Sequence, residues 1–156
     1  MKSSPSLPRP AIPRLENQLC FSLYAAGLAM NKVYRRLLKP MGVTYLQYLV
    51  LMVLWERDGL TVSAIGDRLS LDSATLTPLL KRMEAAGLLR RQRSQADERQ
   101  VEIWLTAAGQ HLQDSARAVQ PAIAQACGCP VEELIGIKRS LDDLRGRLVA
   151  VEASLE

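Results

Sequence analysis

The sequence predicts a mainly α-helical fold that carries one small β-hairpin. Over most of the chain, apolar residues recur at spacings of three and four, the period of helices that bury one face. Residues 88–105 depart from this period, because two short runs with strand-like patterning flank a polar stretch. Just before them, two short helical patterns are separated by a tight turn. Helix, turn, helix and hairpin together predict a winged helix-turn-helix.

Composition limits the class of protein. The 156 residues suffice for one domain with a core, and 48% of them are hydrophobic. The longest apolar run, Tyr48–Trp55, is too short to span a membrane, and residues 1–13 have no signal-peptide pattern. Three cysteines, an odd number, argue against a secreted disulfide framework. We therefore expect a cytoplasmic protein with no membrane partner.

The elements before the hairpin follow from start and stop signals. Residues 1–13, rich in proline and serine, predict a disordered arm. Residues 14–43 form the predicted dimerisation and sensor segment: a long helix with an apolar stripe over about 14–38, ended by Pro40 and Gly42. A second helix begins at Thr44, with a possible capping box to Gln47, and is apolar on nearly all sides. This second helix is the predicted centre of the core.

Residues 44–106 form the predicted winged helix-turn-helix domain. Its first short helix covers 62–69, and its second runs to about residue 86, with either Asp72 or Ser73 as the cap. Pro78 lies inside the second helix, where it predicts a lost hydrogen bond or a bend. The strands are predicted at 88–93 and 99–105. Residues 81–99 hold six basic and three acidic side chains, an electrostatic pattern suited to phosphate, although most charge runs are only solvated surface.

Residues 107–156 predict C-terminal helices. The first runs from 107 to about 127, and Pro121 should kink or divide it. The last covers 131–151 and carries a heptad-like apolar repeat, at Leu134, Ile137, Leu141, Leu144, Leu148 and Val151. Such a repeat needs a partner helix. The long first helix and this last one together predict a helical dimerisation layer.

Few residues have the potential for chemistry. The single histidine, His111, makes a histidine-based metal site or catalytic triad improbable, and Cys127-Gly-Cys129 lacks further ligands for zinc. We expect no metal, no cofactor and no enzymatic activity. Cys20 lies near the start of the first helix, where backbone amides stabilise a thiolate. From position alone, a small buried apolar residue is the favoured interpretation of Cys20.

Two groups of motifs show a family resemblance. Residues 75–88, followed by Asp97-Glu98-Arg99 and Leu105-Thr106, resemble the winged helix-turn-helix of the MarR family of bacterial repressors. Residues 15–21, 46–50 and 71–78 further resemble the organic hydroperoxide sensors of that family, the OhrR branch. The resemblance covers roughly residues 15–110.

The resemblance implies a homodimeric repressor with a redox-reactive Cys20. Tyr34 and Tyr45 match two tyrosines that hydrogen-bond the thiolate, and Tyr24 matches a further aromatic residue of the pocket. Cys20 and Tyr34 would lie roughly 21 Å apart on one straight helix, so Tyr34 would serve the cysteine of a second chain. Cys127 matches the resolving cysteine that forms an intersubunit disulfide, whereas Cys129 is either inert or a competitor.

The implied partners are double-stranded operator DNA and, as effector, an organic hydroperoxide. The resemblance assigns DNA contacts to Ser73, Thr75, Thr77, Lys81 and Arg82 on the second helix, and to Arg99, oriented by Asp97, at the hairpin tip. An apolar pocket around Cys20 would favour lipid-like peroxides; its candidates are Leu19, Phe21, Leu23 and Met52. One alternative is a repressor of the same family that responds to a small aromatic ligand. The other is a thiol peroxidase, but the basic hairpin argues against it, because a peroxidase has no need of one.

Overall fold

The computed structural model describes residues 13–155, and within them it confirms a mostly helical fold with a small antiparallel sheet. The helices are α1 (Leu19–Leu37), α2 (Tyr45–Glu56), α3 (Val62–Leu69), α4 (Ser73–Ala85), α5 (Ala107–Ala116), α6 (Val119–Cys127) and α7 (Val131–Leu155). The strands are β1 (Leu60–Thr61), β2 (Leu89–Arg93) and β3 (Val101–Leu105). The predicted disordered arm falls outside the described residues, apart from Pro13.

Helix α2 is the centre of the core, as its sequence predicts. Its buried side chains point to several sides of the helix; they are Tyr48, Val50, Leu51, Val53 and Leu54. The predicted capping box is present, because the Thr44 hydroxyl accepts from the Gln47 amide and the Gln47 side chain accepts from the Thr44 amide at 2.9 Å. The cap fixes where the chain enters the core after the turn at Gly42.

The helix-turn-helix consists of α3 and α4. Thr61 caps α3, and the helix ends at Ser70, whose positive φ of 54° turns the chain sharply. Asp72, rather than Ser73, caps α4 by accepting from the Thr75 amide at 2.7 Å. Helix α4 continues through Pro78 to Ala85, so this proline removes one internal donor without ending the helix.

The wing is the hairpin of β2 and β3 with its tip, residues 94–100. The strands are shorter than predicted, since Leu88, Arg99 and Gln100 lie outside them. Strand β3 lies in the middle of the sheet, between β2 and the unpredicted β1, and Leu60 pairs with Ile103. Two residues of extended chain give no pattern from which β1 could be predicted. Pairing with β3 alone defines it.

Of the two outcomes predicted for residues 107–127, a kinked helix or a divided one, the structure has the divided one, but the division does not lie at Pro121. The chain breaks at Arg117 and Ala118, between α5 and α6. Pro121 is the third residue of α6, in the first turn, where no helical carbonyl needs its missing amide. The proline therefore starts a helix here rather than kinking one. Helix α7 extends to Leu155, beyond the predicted end at Val151.

Two apolar surfaces remain uncovered in the single chain. Helix α1 begins at Leu19 instead of Arg14, because extended backbone at Gln18 follows a short 3-10 turn. The apolar side chains of its first half are exposed, whereas Met30, Val33 and Leu37 pack on the core. On α7, the heptad positions Leu134 and Leu144 are half-buried and the other four are exposed.

Candidate functional site

Helix α4 presents a polar face to solvent. Its buried side chains, Leu76, Leu79, Leu80 and Met83, occupy one side of the helix. The predicted DNA-contacting residues lie around the rest: Ser73, Thr75, Lys81 and Arg82 are exposed, and Thr77 is half-buried. Packing of one side against α2 and α3 thus leaves a rigid face of hydroxyl and cationic groups free to enter a groove of DNA.

The tip of the wing is organised by Asp97. Its Oδ1 atom accepts from the Arg99 backbone amide at 3.1 Å and from Arg99 Nε at 3.2 Å. The tip is closed below by the Ser94 amide, which donates to the Gln100 carbonyl at 2.9 Å. The Arg99 side chain is 91% exposed despite this pairing. Asp97 therefore orients the Arg99 side chain, which is otherwise exposed to solvent.

An ion pair that the sequence does not reveal joins α4 to the wing. Glu84 accepts from the Arg91 amide at 2.9 Å through Oε1 and from Arg91 Nε at 2.8 Å through Oε2. Hydrogen bonds from Arg91 hold the pKa of the Glu84 carboxyl below its ordinary value. Seven residues and a change of element separate the two. Their pairing depends on how the hairpin packs, which no local spacing encodes.

Tyr34 and Tyr45 lie together in the core beside Tyr48. The ring centroids of Tyr34 and Tyr45 are 4.3 Å apart, and those of Tyr34 and Tyr48 are 6.1 Å apart. Burial, with smaller effects of the other two tyrosines and of Cys127, raises the pKa of Tyr34 to about 12. Burial also raises the pKa values of Tyr45 and Tyr48. All three phenols are therefore neutral donors at physiological pH.

Cys20 is separated from these tyrosines within its own chain. It is the second residue of α1 and is exposed, so it is not the buried apolar residue that position alone favoured. Since α1 is continuous, Cys20 and Tyr34 lie roughly 21 Å apart along it. Tyr24 is 63% exposed. The expected pocket does not enclose Cys20 in the single chain: Leu19, Phe21 and Leu23 are exposed, and Met52 packs on the core.

Cys127 occupies a different environment. It is the last residue of α6, it is half-buried against the core, and its charge is one cause of the raised Tyr34 pKa. Gly128, with a φ of 66°, turns the chain toward Cys129, whose thiol pKa is raised, chiefly by desolvation. Over residues 13–155 all three cysteines are free, and no cluster of three or more histidine, cysteine or acidic side chains could hold a metal.

The recognition helix α4, the basic wing and the rigid contact between them define a winged helix-turn-helix protein of the DNA-binding class. Comparison with known proteins supports this assignment. The model of the MarR family matches residues 43–101. In the part of the chain that is described, no helix is both long and apolar enough to cross a membrane.

Relatives and a solved structure extend the match over most of the chain. The HTH-type transcriptional regulator TtmR of Methylorubrum extorquens is 46% identical over 142 residues, which cover 91% of this chain and 73% of TtmR. The organic hydroperoxide resistance transcriptional regulator of Bacillus subtilis is 48% identical over 128 residues, 82% of this chain and 87% of that protein. The structure of reduced AbfR bound to DNA matches with a TM-score of 0.72 and 42% identity, covering 86% of this chain and 94% of AbfR.

The chain belongs to the MarR family. It is a DNA-binding transcriptional regulator and not an enzyme, since it matches 73% and 87% of the lengths of two relatives that are transcriptional regulators.

Proposed function

We propose that this chain is a homodimeric repressor that binds operator DNA in its reduced form and releases it when an organic hydroperoxide oxidises Cys20. The name of the Bacillus relative refers to organic hydroperoxide resistance. AbfR has been solved bound to DNA as the reduced and as the overoxidized protein, and a further AbfR structure is of the disulfide form, the state that the proposal invokes for release. Because operator DNA is the target, the proposal includes the cytoplasm of a bacterial cell as the place of action.

The observation that carries the proposal is the position of Cys20. It is exposed on a segment of α1 whose apolar side chains are also exposed, and it lies roughly 21 Å along the helix from Tyr34. If a second chain covers that segment, its Tyr34 and Tyr45 can donate to the Cys20 thiolate, and the apolar side chains can exclude water from it. In this account Tyr24 contributes a further aromatic surface. A dimer thus completes a site that one chain leaves open.

The chemistry of the switch has two steps. The Cys20 thiolate attacks the terminal oxygen of the hydroperoxide; an S–O bond forms, the O–O bond breaks, and the alkoxide leaves and is protonated to an alcohol. Cys20 is oxidised to a sulfenic acid while the peroxide is reduced. The Cys127 thiolate of the second chain then attacks the sulfenic sulfur, forming an S–S bond and releasing hydroxide.

DNA release follows from the geometry of the dimer. The disulfide would draw α1 of one chain toward α6 of the other and so move the two winged domains apart or rotate them. Recognition helices must enter major grooves one helical turn apart, so a small change in their spacing weakens binding strongly. In the reduced dimer, Ser73, Thr75 and Thr77 face the bases and phosphates, Lys81 and Arg82 contact phosphates, and Arg99 enters the minor groove.

Replacement of the cysteines tests the proposal. Cys20→Ser should keep operator affinity within about twofold of wild type, because the change is isosteric and distant from α4, and should abolish release by cumene hydroperoxide. Cys129→Ser is the matched control, which should still be released. A Cys20→Ser protein that is still released would refute the thiol switch and support the alternative, a repressor that responds to a small aromatic ligand.

A further inference from the structure

Cys129 takes no part in the proposed function, although it lies only two residues after Cys127. The two cysteines flank Gly128 in the turn that joins α6 to α7, and both are half-buried and free. We call residues 127–129 the dithiol turn. A thiol placed next to a disulfide can attack it and exchange with one of its sulfurs, so the spacing of these two cysteines matters.

Gly128 sets this spacing. Its φ of 66° and ψ of 20° lie in the left-handed helical region, which glycine adopts without strain. Residues that flank a residue in a helical conformation of either hand have Cα atoms roughly 5.4 Å apart, from the rise and radius of the helix. In extended backbone the same spacing would be roughly 7 Å. Disulfides join Cα atoms roughly 4.4–6.8 Å apart, so the turn holds Cys127 and Cys129 within this range before any bond forms.

Solvent reaches the dithiol turn. Gly128 and Pro130 are exposed. Apart from the neighbours of Gly128 in the chain, no described residue lies within 4 Å of the position that a Cβ on this glycine would take. By contrast, the intersubunit disulfide of the proposed function would form beside the apolar side chains of α1, from which water is excluded. A reductant in solution can therefore approach the turn more easily than the intersubunit bond.

Cys129 is suited to a late step and not to the reaction with peroxide. Desolvation, with smaller effects of the Glu133 carboxylate and the Cys127 thiolate, raises the pKa of its thiol. Because the thiolate is the nucleophile, Cys129 reacts slowly with peroxide at neutral pH. Attack on a disulfide in the same turn is helped by proximity, which offsets the small thiolate fraction.

We propose that Cys127 and Cys129 form a second redox site, which takes the disulfide from Cys20 and passes it to a thiol reductant. The Cys129 thiolate attacks the Cys127 sulfur of its own chain. The bond between Cys127 and Cys129 forms, the bond between Cys127 and Cys20 of the second chain breaks, and Cys20 leaves as a thiolate. Two molecules of a small thiol then reduce the intrachain disulfide and are themselves oxidised to a disulfide. The exchange rests on the proposed function, whereas the capacity of the pair to form a disulfide does not.

The first experiment needs neither Cys20 nor a hydroperoxide. Cys20→Ser protein is oxidised with diamide, which takes two hydrogens from a pair of thiols, then alkylated with iodoacetamide and digested with trypsin. The peptide 118–138 carries both remaining cysteines. It should be lighter than the dithiol peptide by two hydrogens and resist alkylation until dithiothreitol is added. In the control, Cys20→Ser/Cys129→Ser, Cys127 should remain open to alkylation. Two alkylated cysteines in the diamide-treated Cys20→Ser protein, or a disulfide that joins two chains, would overturn the proposal.

The second experiment follows recovery from oxidation. Wild-type and Cys129→Ser proteins are treated with one equivalent of cumene hydroperoxide per chain, freed of peroxide and given a low concentration of glutathione. In non-reducing electrophoresis the linked dimer of wild type should disappear roughly tenfold faster than that of Cys129→Ser, because Cys129 attacks within its own chain. Equal rates would overturn the proposal. If no linked dimer forms in either protein, the proposed function fails, and the diamide experiment still decides whether the pair is a redox site.

Discussion

At the scale of single residues, Tyr34 links the core to the proposed sensor site. It is 9% exposed, and its ring lies against that of Tyr45. Burial keeps the phenol protonated and therefore a hydrogen-bond donor. A thiolate brought next to it would gain a donor that does not ionise at any physiological pH.

The raised pKa of Tyr34 predicts a loss of stability at high pH. Between pH 10 and about 12 the phenol ionises in the unfolded chain but not in the folded one, so the free energy of unfolding falls as pH rises through this window. The loss from Tyr34 should be roughly 2 kcal/mol by pH 12. Urea unfolding at pH 9, 10, 11 and 12 measures it. The free energy of unfolding of Tyr34→Phe should fall less steeply with pH than that of wild type. That of Tyr24→Phe, at an exposed position, should fall as steeply as that of wild type. Equal slopes for all three proteins would contradict the assignment of the stability loss to Tyr34.

At the scale of elements, Pro78 costs helix α4 a backbone hydrogen bond, and the packing of the helix offsets this loss. Pro78 provides no amide for the carbonyl of Ala74, yet the helix continues for seven residues beyond it. Four buried side chains and the hydrogen bonds between Glu84 and Arg91 hold the helix in place on both sides of the proline. The packing of the recognition helix thus compensates for the backbone hydrogen bond that is missing at Pro78.

Replacing this proline should stabilise the protein. Pro78 is exposed, so alanine restores a helical hydrogen bond without leaving a cavity. Pro78→Ala should raise the free energy of unfolding by about 1–2 kcal/mol, after the greater entropy of the unfolded alanine variant is subtracted. Urea unfolding at neutral pH measures this, and Ala74→Gly, in the preceding turn, should have the opposite sign. A destabilised Pro78→Ala protein would show that the proline fits a required bend.

The elements also show what could be predicted from the sequence. Caps and stops are local, so Thr44, Thr61, Asp72 and Gly87 mark helix ends correctly within a residue or two. Contacts between distant segments are not local. Strand β1 exists through its pairing with β3, and Pro121 could be predicted to break a helix but not to lie in the first turn of the next.

The residues of the candidate site could likewise be predicted from the sequence, but the contacts between them could not. The resemblance supplied the residues of the wing and the tyrosines, and periodicity identified α4. The contact of Tyr34 with Tyr45 and the pairing of Glu84 with Arg91 arise only when separate elements pack together. The exposure of Cys20 also required the structure, because sequence position alone favoured burial.

At the scale of the whole molecule, the uncovered apolar surfaces of α1 and α7 imply a partner. Leu141 and Leu148 on α7, and Leu19 and Phe21 on α1, are between 41% and 60% exposed. Apolar side chains aligned along two helices of a monomer are the pattern of an interaction surface. A dimer formed through them would also bring the Cys20 region of one chain to the tyrosines of the other.

Charges placed on this surface should prevent dimerisation. Leu141→Glu combined with Leu148→Glu should convert the protein to a monomer in sedimentation velocity and lower operator affinity at least tenfold, because only a dimer binds two half-sites at once. Arg139→Glu, on the opposite side of α7, is the control and should remain dimeric. A dimer that survives both leucine replacements would place the interface elsewhere.

The most direct test of the account is the reversible release of DNA. Fluorescence anisotropy of a labelled inverted-repeat operator would be followed with the reduced protein, after one equivalent of cumene hydroperoxide per chain, and then after dithiothreitol. The account predicts that the anisotropy falls to that of free DNA on oxidation and returns with the reductant, as a disulfide-linked dimer appears and disappears in non-reducing electrophoresis. Binding that ignores the hydroperoxide, with Cys20 shown to be oxidised, would contradict it.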